Sequence, residues 1–341
     1  MKYKVYIIIL NYNNWYDTIE CLESVLRNDY PNYQVIVVDN NSQNNSVDYM
    51  KAWADGMLDI CVDPKNPLRA LSFPPLPKPI PYVCYTKEEA EKGGNQDLEQ
   101  KLMNNIPEGI TTKYPLIFIE NTKNSGFAGG NNIGIRYALA KNDFDSIILL
   151  NNDTVINGNT ISNLVSARLK FGEKAIYGGK IFYYSDPEKI WYDGGKLNEW
   201  KCRTGHFNMR KYKHEIKNIP ETKEVDYITF CCVLIPKFII ENIGLIDESY
   251  FMYFEDVDYS YIVRKSGYKL YHISNVNLWH KVSASVGEEL RKSLNYIDTI
   301  NRAKFIIKRL PLLKKLTSFV SILSSKKNIM ILLKYPLKRW N

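Results

Sequence analysis

Four short apolar runs punctuate the first half of the chain, and each stops at a cluster of oxygen-bearing side chains. Residues 5–10 give way to Asn11-Tyr12-Asn13-Asn14, and residues 35–38 to Asp39-Asn40-Asn41-Ser42. Residues 116–119 lead to the stretch Asn124-Ser125-Gly126-Phe127, and residues 147–150 stop at Asn151-Asn152-Asp153-Thr154. Apolar runs of this length, bounded by turn formers, predict strands buried on both faces of a parallel sheet. Between them lie helical patterns. Ile19, Leu22, Val25 and Leu26 share one face, residues 46–54 make a short helix, and a third helix runs through Ala140. This alternation predicts right-handed βαβ units, an α/β fold with a mainly parallel sheet and helices on both sides. Ligands bind such sheets at the carboxyl ends of the strands. Taken alone, Asn-Asn-Asp after a strand marks a turn or a helix cap equally well.

Residues 55–114 break the rhythm. Seven of the fifteen prolines fall between Pro64 and Pro81, a density that excludes sheet interior and helix and predicts an extended surface excursion. After Asp153, a helix is expected over 158–171 and strands over 175–184 and 225–235, the first interrupted by Gly178-Gly179. Pro236 suits the first turn of a short helix ending near Gly244. The stretch Asp247 to Asp258 opens a further helix capped by Gly267, and residues 269–273 form a last strand before Leu278-Trp279-His280.

The chain has 341 residues, 45% of them hydrophobic, ample for one large core. Six cysteines show no metal-ligand spacing, which predicts free thiols in a reducing compartment. The first apolar run is too short for a signal peptide or a membrane span. The net charge of +8 is concentrated: no acidic residue follows Asp298, while eleven lysines and arginines do, so the body is near neutral. That argues against nucleic acid as a partner. The tail interleaves those cations with Phe305, Ile306, Leu310, Leu313, Leu316 and Phe319. Such a segment suits an anionic membrane surface, and it equally suits a helical pair packed on the domain with solvated lysines.

Asp39, Asn151, Asp153, Glu255, Asp256, Asp258 and His280 all stand near element ends. A hard divalent ion such as Mg²⁺ or Mn²⁺ takes carboxylate oxygens and bridges phosphates, and Mn²⁺ accepts an imidazole, so Asp153 with His280 could form such a site. Glu255 and Asp256 could equally be acids that complement a helix dipole. The glycines from Gly126 to Gly130 could bring backbone amides up to a phosphate, although they form neither a Walker A loop nor a dinucleotide fingerprint.

Five segments occur in a fixed order: Ile9-Leu10-Asn11-Tyr12-Asn13, Val37-Val38-Asp39-Asn40-Asn41-Ser42, Asn124-Ser125-Gly126-Phe127-Ala128-Gly129-Gly130-Asn131, Leu149-Leu150-Asn151-Asn152-Asp153 and Phe254-Glu255-Asp256-Val257-Asp258. In this set the chain resembles family 2 glycosyltransferases, in particular their rhamnosyltransferase-like branch, over residues 3–285. The resemblance implies a GT-A fold over residues 1–285, carrying the 55–114 insertion, and leaves residues 286–341 as a basic amphipathic extension. It implies inverting transfer from a nucleotide-diphosphate sugar, UDP- or dTDP-linked, to a hydroxyl of a glycan or lipid-linked acceptor. Asp39 matches the acid that contacts base or ribose, with Asn11 and Asn13 beside it. Asn124, Gly126, Gly129, Asn131, Asn152 and Glu255 complete the expected nucleotide-sugar contacts. Asn151 to Asp153 stands at the Asp-x-Asp motif with its first acid replaced by Asn, leaving Asp153 and His280 as metal ligands for Mn²⁺ or Mg²⁺. Asp256 matches the catalytic base. Relatives carry an Arg-Asn pair where this chain has Ile300-Asn301, so that segment is left out of the expected site. The implied location is cytoplasmic, at the inner face of the cell membrane. Two other classes fit less well. A nucleotidyltransferase of related fold would carry a Gly-, Arg- and Lys-rich loop after the first strand, which Asn11-Tyr12-Asn13-Asn14 is not, and a carbohydrate-binding protein has no need of Asp153, Asp256 and His280 together.

Overall fold

The structure is a computed structural model that describes residues 3–217, 220–282, 288–325 and 328–331. The amino-terminal half alternates as expected: β1 (Val5–Asn11), α1 (Trp15–Val25), β2 (Tyr33–Asp39), α2 (Ser46–Ala54), β3 (Tyr82–Thr86), α3 (Lys87–Glu91), α4 (Gln96–Leu102), β4 (Leu116–Glu120), α5 (Gly126–Lys141) and β5 (Ser146–Asn151). A second half follows with β6 (Thr154–Ile156), α6 (Thr160–Phe171), β7 (Ala175–Tyr183), β8 (Asp186–Tyr192), β9 (Gly195–Asn198), β10 (Arg203–His206), β11 (Thr222–Glu224), β12 (Cys232–Pro236), α7 (Lys237–Ile243), α8 (Glu255–Lys265) and β13 (Lys269–His280). Two helices, α9 (Glu288–Arg309) and α10 (Leu312–Leu323), close it.

The main sheet runs β11-β13-β7-β12-β5-β1-β2-β4-β3, with β6 on β13 and β8 on β7. The five strands from β5 to β3 are all parallel, β12 is antiparallel to both neighbours, and β13 is parallel to β7. Alternation along β1 explains the layering. Val5, Ile7 and Ile9 pack with α1, α2 and α6 on one face, and Tyr6 and Ile8 pack with α5, α7 and α8 on the other. The six cysteines are free thiols.

Three expectations need correction. Residues 55–114 are more than a surface excursion, because β3 extends the sheet in parallel with β4 after the prolines end. The excursion is also anchored: fully buried Glu23 accepts bonds from Trp53, Lys78, Arg27 and the Leu76 amide. Residues 225–231 are not strand, despite their β-rich composition; only Cys232–Pro236 pairs in the sheet, and the preceding turns carry amide and hydroxyl donors to Asp256. Gly178-Gly179 does not interrupt β7. A Cβ at either glycine would lie within 2.4 Å of Ile228 or Val276, so these residues let neighbouring chain close over the strand.

Candidate active site

The parallel register sets the site's rim. Asn11 lies opposite Asp39, and Leu10 opposite Asn151, so three strands end in polar residues side by side. Asp39 Oδ1 accepts from Asn11 Nδ2 at 2.7 Å and from Ser42 Oγ at 2.6 Å, and its Oδ2 accepts from the Ser42 amide at 2.9 Å. Asn13, in the left-handed region at φ 53°, donates its amide to Ser42 Oγ. Asn152 Nδ2 donates to Thr18 Oγ1 at 2.9 Å, and that hydroxyl donates to Asn11 Oδ1. The ends of β1, β2 and β5 are thus locked by one side-chain network.

The glycine-rich stretch lies inside α5 rather than ahead of it. The Gly126 amide goes to Asn124 Oδ1, and the Phe127 amide to Phe251 O at 2.6 Å, so both already have protein acceptors. Asn131 is buried and donates to Phe127 O within the helix. Gly126 has φ +71°, and a Cβ there would lie 2.3 Å from Phe251 O; one at Gly129 would meet Ser125 Cβ at 2.7 Å. In this structure these residues bring α5 against the loop that precedes α8.

Past Asn151 the chain turns through Asn152 and Asp153 into β6, which pairs antiparallel with the end of β13 and sets Thr154 opposite His280. That register brings His280 Nε2 to 3.0 Å from Asp153 Oδ1. Burial works to raise the Asp153 pKa, yet the His280 ring, its hydrogen bond and Lys281 carry it below the ordinary carboxylate value. His280 Nδ1 and the neighbouring Asn151 Oδ1 are buried without a partner among the described residues.

A second acidic pair faces the same space. Tyr253 and Phe254 both adopt left-handed φ, 70° and 72°, a conformation bulky residues rarely hold, and it swings the start of α8 inward. The backbone is braced by buried Asn301 from α9, whose Nδ2 donates to Met252 O at 2.8 Å and Tyr253 O at 2.9 Å. Burial pushes the Asp256 carboxyl up to about 6, against the amides of Val257 and Phe230 and the Thr229 hydroxyl, which favour the charged form. Burial, with the Asp256 charge beside it, raises Glu255 well above its usual value, and Glu255 Oε2 has no partner among the described residues.

Asp153, His280, Glu255 and Asp256 line one cavity of about 600 Å³, whose wall includes Trp191, His206, Tyr227 and Asp298. Asn11, Asn13, Asp39, Asn124, Gly126, Gly129, Asn131 and Asn152 are not in that lining; the first three and Asn152 lie at or just past the strand ends, and the others in or just before α5. A larger hollow near Lys4, Tyr114 and Asp143 lies at the opposite, amino-terminal ends of the strands, where Lys4 and Tyr6 are already bonded to Asp143. The arrangement combines an anionic carboxylate on an imidazole with a carboxyl poised to take a proton near neutral pH.

The chain matches the family described as Glycosyl transferase family 2 over residues 6–67 and 97–244, more than half its length. It belongs to that family. The matched residues of this glycosyltransferase contain Asp39 and Asp153, whereas Asp256 and His280 come from α8 and β13 beyond them. A curated relative, the low-salt glycan biosynthesis hexosyltransferase Agl10 of Haloferax volcanii, is 27% identical over 167 residues, 48% of this chain and 51% of its own. The match thus spans about half that relative's length. Among solved structures, the mannosyltransferase PcManGT from Pyrobaculum calidifontis in complex with GDP-Man and Mn²⁺ aligns over 98% of this chain and 75% of its own, with TM-score 0.54 and 12% identity. GalNAc-T7 with UDP, GalNAc and Mn²⁺ aligns over 98% and 56%, with TM-score 0.52 and 13% identity. At such identities these likenesses show the fold, which is GT-A.

Sequence reasoning missed several residues of this glycosyltransferase's cavity. Asp298 lines it and has its carboxyl pushed up by burial, yet in the sequence it stands out only as the last acid before the basic tail. Asn301, set aside as half of a missing pair, braces the Met252-Tyr253 turn ahead of α8. Thr229 gave no signal at all, being one hydroxyl in a β-rich run.

Proposed function

We propose that this glycosyltransferase is a hexosyltransferase that moves a sugar from a nucleotide-diphosphate donor to an acceptor hydroxyl with inversion, Asp256 acting as general base. The observation that carries this reading is the pairing, across one cavity, of a carboxyl raised to about 6 at Asp256 with a carboxylate held low at Asp153 by His280. A base near its operating pH accepts a proton readily while remaining partly ionised. Inverting displacement needs such a base on the acceptor side of the sugar and charge stabilisation on the leaving-group side. The hexosyl part rests on the name of the Haloferax relative, and the donor class on the nucleotides and sugars held by the two solved neighbours.

The donor set at Asp153 fits a divalent ion. One carboxylate, one imidazole and the partnerless Asn151 Oδ1 are the oxygen and nitrogen ligands that Mn²⁺ or Mg²⁺ accepts. Among the described residues no group of three His, Cys, Asp or Glu is gathered closely enough to hold a metal alone, so donor phosphates and water would complete the shell. When bound, the ion supplies positive charge that stabilises a departing diphosphate. Asp39, held by bonds from Asn11 and Ser42, accepts from the nucleoside in this reading. Asp256, oriented by the Val257 and Phe230 amides, takes the acceptor hydroxyl's proton as that oxygen attacks the anomeric carbon. The acceptor is read as a glycan or a lipid-linked glycan, used at the cytoplasmic face of a membrane.

The test is a panel of UDP-, dTDP- and GDP-sugars with Mn²⁺, following nucleoside diphosphate release by the parent and by Asp256→Asn. The parent releases diphosphate from one donor class, and the variant loses at least about a hundredfold in turnover while binding that donor with unchanged affinity. Normal turnover by Asp256→Asn would sink the base assignment, and release from no donor would sink the transferase reading.

A further inference from the structure

Helix α10 carries its apolar side outward. The face against the domain holds Ser318 and Ile322, both fully buried; Ser318 Oγ donates to Glu199 O, and Lys314 is ion-paired to the Glu199 carboxylate. The opposite face presents Leu312, Leu313, Leu316, Val320 and Leu323, which are 74%, 63%, 59%, 70% and 45% exposed. At 3.6 residues per turn these five fall within an arc of about 100°, away from the buried pair. A continuous stripe of leucine and valine facing water signals a surface that something covers.

The surroundings say what. Beside the stripe, α10 and the β9–β10 turn enclose a hollow of about 470 Å³ lined by Trp200, Lys201, Arg203, Val320, Ser321 and Ser324 together with Thr317. Trp200 is half exposed there. Lys308, Arg309 and Lys314 are paired with acids of the domain, whereas Lys201, Arg203 and Lys315 form no ion pair among the described residues. An apolar stripe edged by unpaired cations and a half-exposed indole complements an anionic bilayer: acyl chains for the leucines, the headgroup layer for the indole, phosphates for the cations. A second copy of the chain would bring two cationic edges together and is disfavoured on that ground. No helix among the described residues is long and apolar enough to cross a membrane, so contact would be in the plane of the surface.

We propose that the outward face of α10, with the Trp200–Arg203 hollow beside it, is a docking surface for an anionic phospholipid bilayer. The stripe enters the boundary between headgroups and acyl chains, and Lys201 and Arg203 sit on lipid phosphates. The alternation of β10 links this surface to the cavity, since Arg203 lines the hollow while Thr204 and His206, on the strand's other side, line the active site. Docking therefore holds the acceptor side of the cavity one strand away from the headgroups. The inference gives a location to the membrane part of the reading above and does not depend on the chemistry at Asp256.

The experiment is flotation of the full-length chain with vesicles of phosphatidylcholine alone or with about a third phosphatidylserine, at low and high salt. The chain should float with phosphatidylserine at low salt and be released by high salt. Leu316→Glu combined with Val320→Glu, and separately Lys201→Glu combined with Arg203→Glu, should each cut the bound fraction about tenfold or more. Both double variants should keep the parent's circular dichroism and rate of donor hydrolysis. A parent that stays at the bottom of the gradient overturns the proposal, as does a Leu316→Glu/Val320→Glu variant that floats like the parent. If light scattering instead shows a parent dimer that this variant dissociates, with no flotation, the face belongs to a second copy and the proposal fails. A parent that floats but hydrolyses no donor leaves the docking surface standing and removes only the transferase reading.

Discussion

The contact between α8 and α9 gives the most direct test of how this protein holds its proposed base. Asp258, two residues into α8 from Asp256, is 1% exposed. Its Oδ1 accepts from Arg309 Nε at 2.7 Å and its Oδ2 from Arg309 Nη2 at 2.9 Å, a two-pronged pair, and Tyr250 OH adds a third bond at 3.2 Å. Arg309→Met keeps most of the aliphatic length and removes the charge, leaving a buried carboxylate with the tyrosine alone. Removing one partner of a buried pair costs roughly 3–5 kcal/mol. Because the Arg309 side chain is about a quarter exposed and the Tyr250 bond survives, the lower end applies, about 3 kcal/mol. Neutralising Asp258 as well, in the double variant Asp258→Asn/Arg309→Met, removes the stranded charge and should restore about 2 kcal/mol of that loss. Urea unfolding followed by tryptophan fluorescence measures both, with an unchanged m value as the sign that only stability moved. If Arg309→Met lost less than about 0.5 kcal/mol, or the double variant were no more stable than the single, the buried-pair reasoning would be wrong.

Three further outcomes follow from the site. Since burial raises the Asp256 carboxyl to about 6 and the base must be ionised, turnover should fall as pH drops through about 6, a limb absent from donor binding; a rate flat down to about pH 5 contradicts it. Asp153→Ala should abolish the Mn²⁺-dependent part of donor affinity in calorimetry while leaving the metal-free part, and unchanged affinity with Mn²⁺ would refute the ligand assignment. Asn301→Ala strips two bonds from the strained Tyr253-Phe254 turn, so kcat should drop about tenfold or more with donor KM little changed; equal loss in both would mark general unfolding instead.

The parallel amino-terminal half could be read from the chain because its signals are local. A central parallel strand must be apolar on both faces, so residues 5–10, 35–38, 116–119 and 147–150 announced β1, β2, β4 and β5, and the polar residue that ends each run is also the residue at the sheet's carboxyl edge. His280 was picked out with Asp153 as a possible ligand, but the strand expected over residues 269–273 in fact runs on to it as β13. The other half was not legible. Residues 225–231 have the composition of a strand, but Thr229 and Phe230 turn their donors to Asp256, and that use appears only in three dimensions. β3 hid behind proline-rich chain because an edge strand needs pairing on one side alone. Asn301 and Arg309 lie 48 and 51 residues from Tyr253 and Asp258, the partners they serve, so no window of sequence contains the contact.

Those two long-range contacts change how the carboxyl-terminal chain divides. The tail reads as uniformly basic and amphipathic, yet its two helices do opposite things. On α9, Ala303, Phe305 and Ile306 are fully buried, Phe305 packs against Phe254 and Tyr261, Asn301 braces the left-handed turn, and Arg309 neutralises Asp258. That helix supplies the long-range restraint which the start of α8 cannot find locally, two bulky residues at positive φ being costly without it. On α10 Ser318 and Ile322 are fully buried and Phe319 packs partly against the core, while the leucines face out. A boundary at residue 285 would therefore cut away the helix that braces the start of α8, whereas one just past Leu310 would remove the proposed docking face together with the few inward contacts of α10. Chains ending at these two points should separate the roles. The longer should fold, hydrolyse donor at the parent's rate and fail to float; the shorter, with Asp258 stranded and the Tyr253-Phe254 turn unbraced, should lose hydrolysis and the cooperative unfolding transition together. A shorter chain that kept the parent's turnover would show that α9 is dispensable to the turn that carries the proposed base.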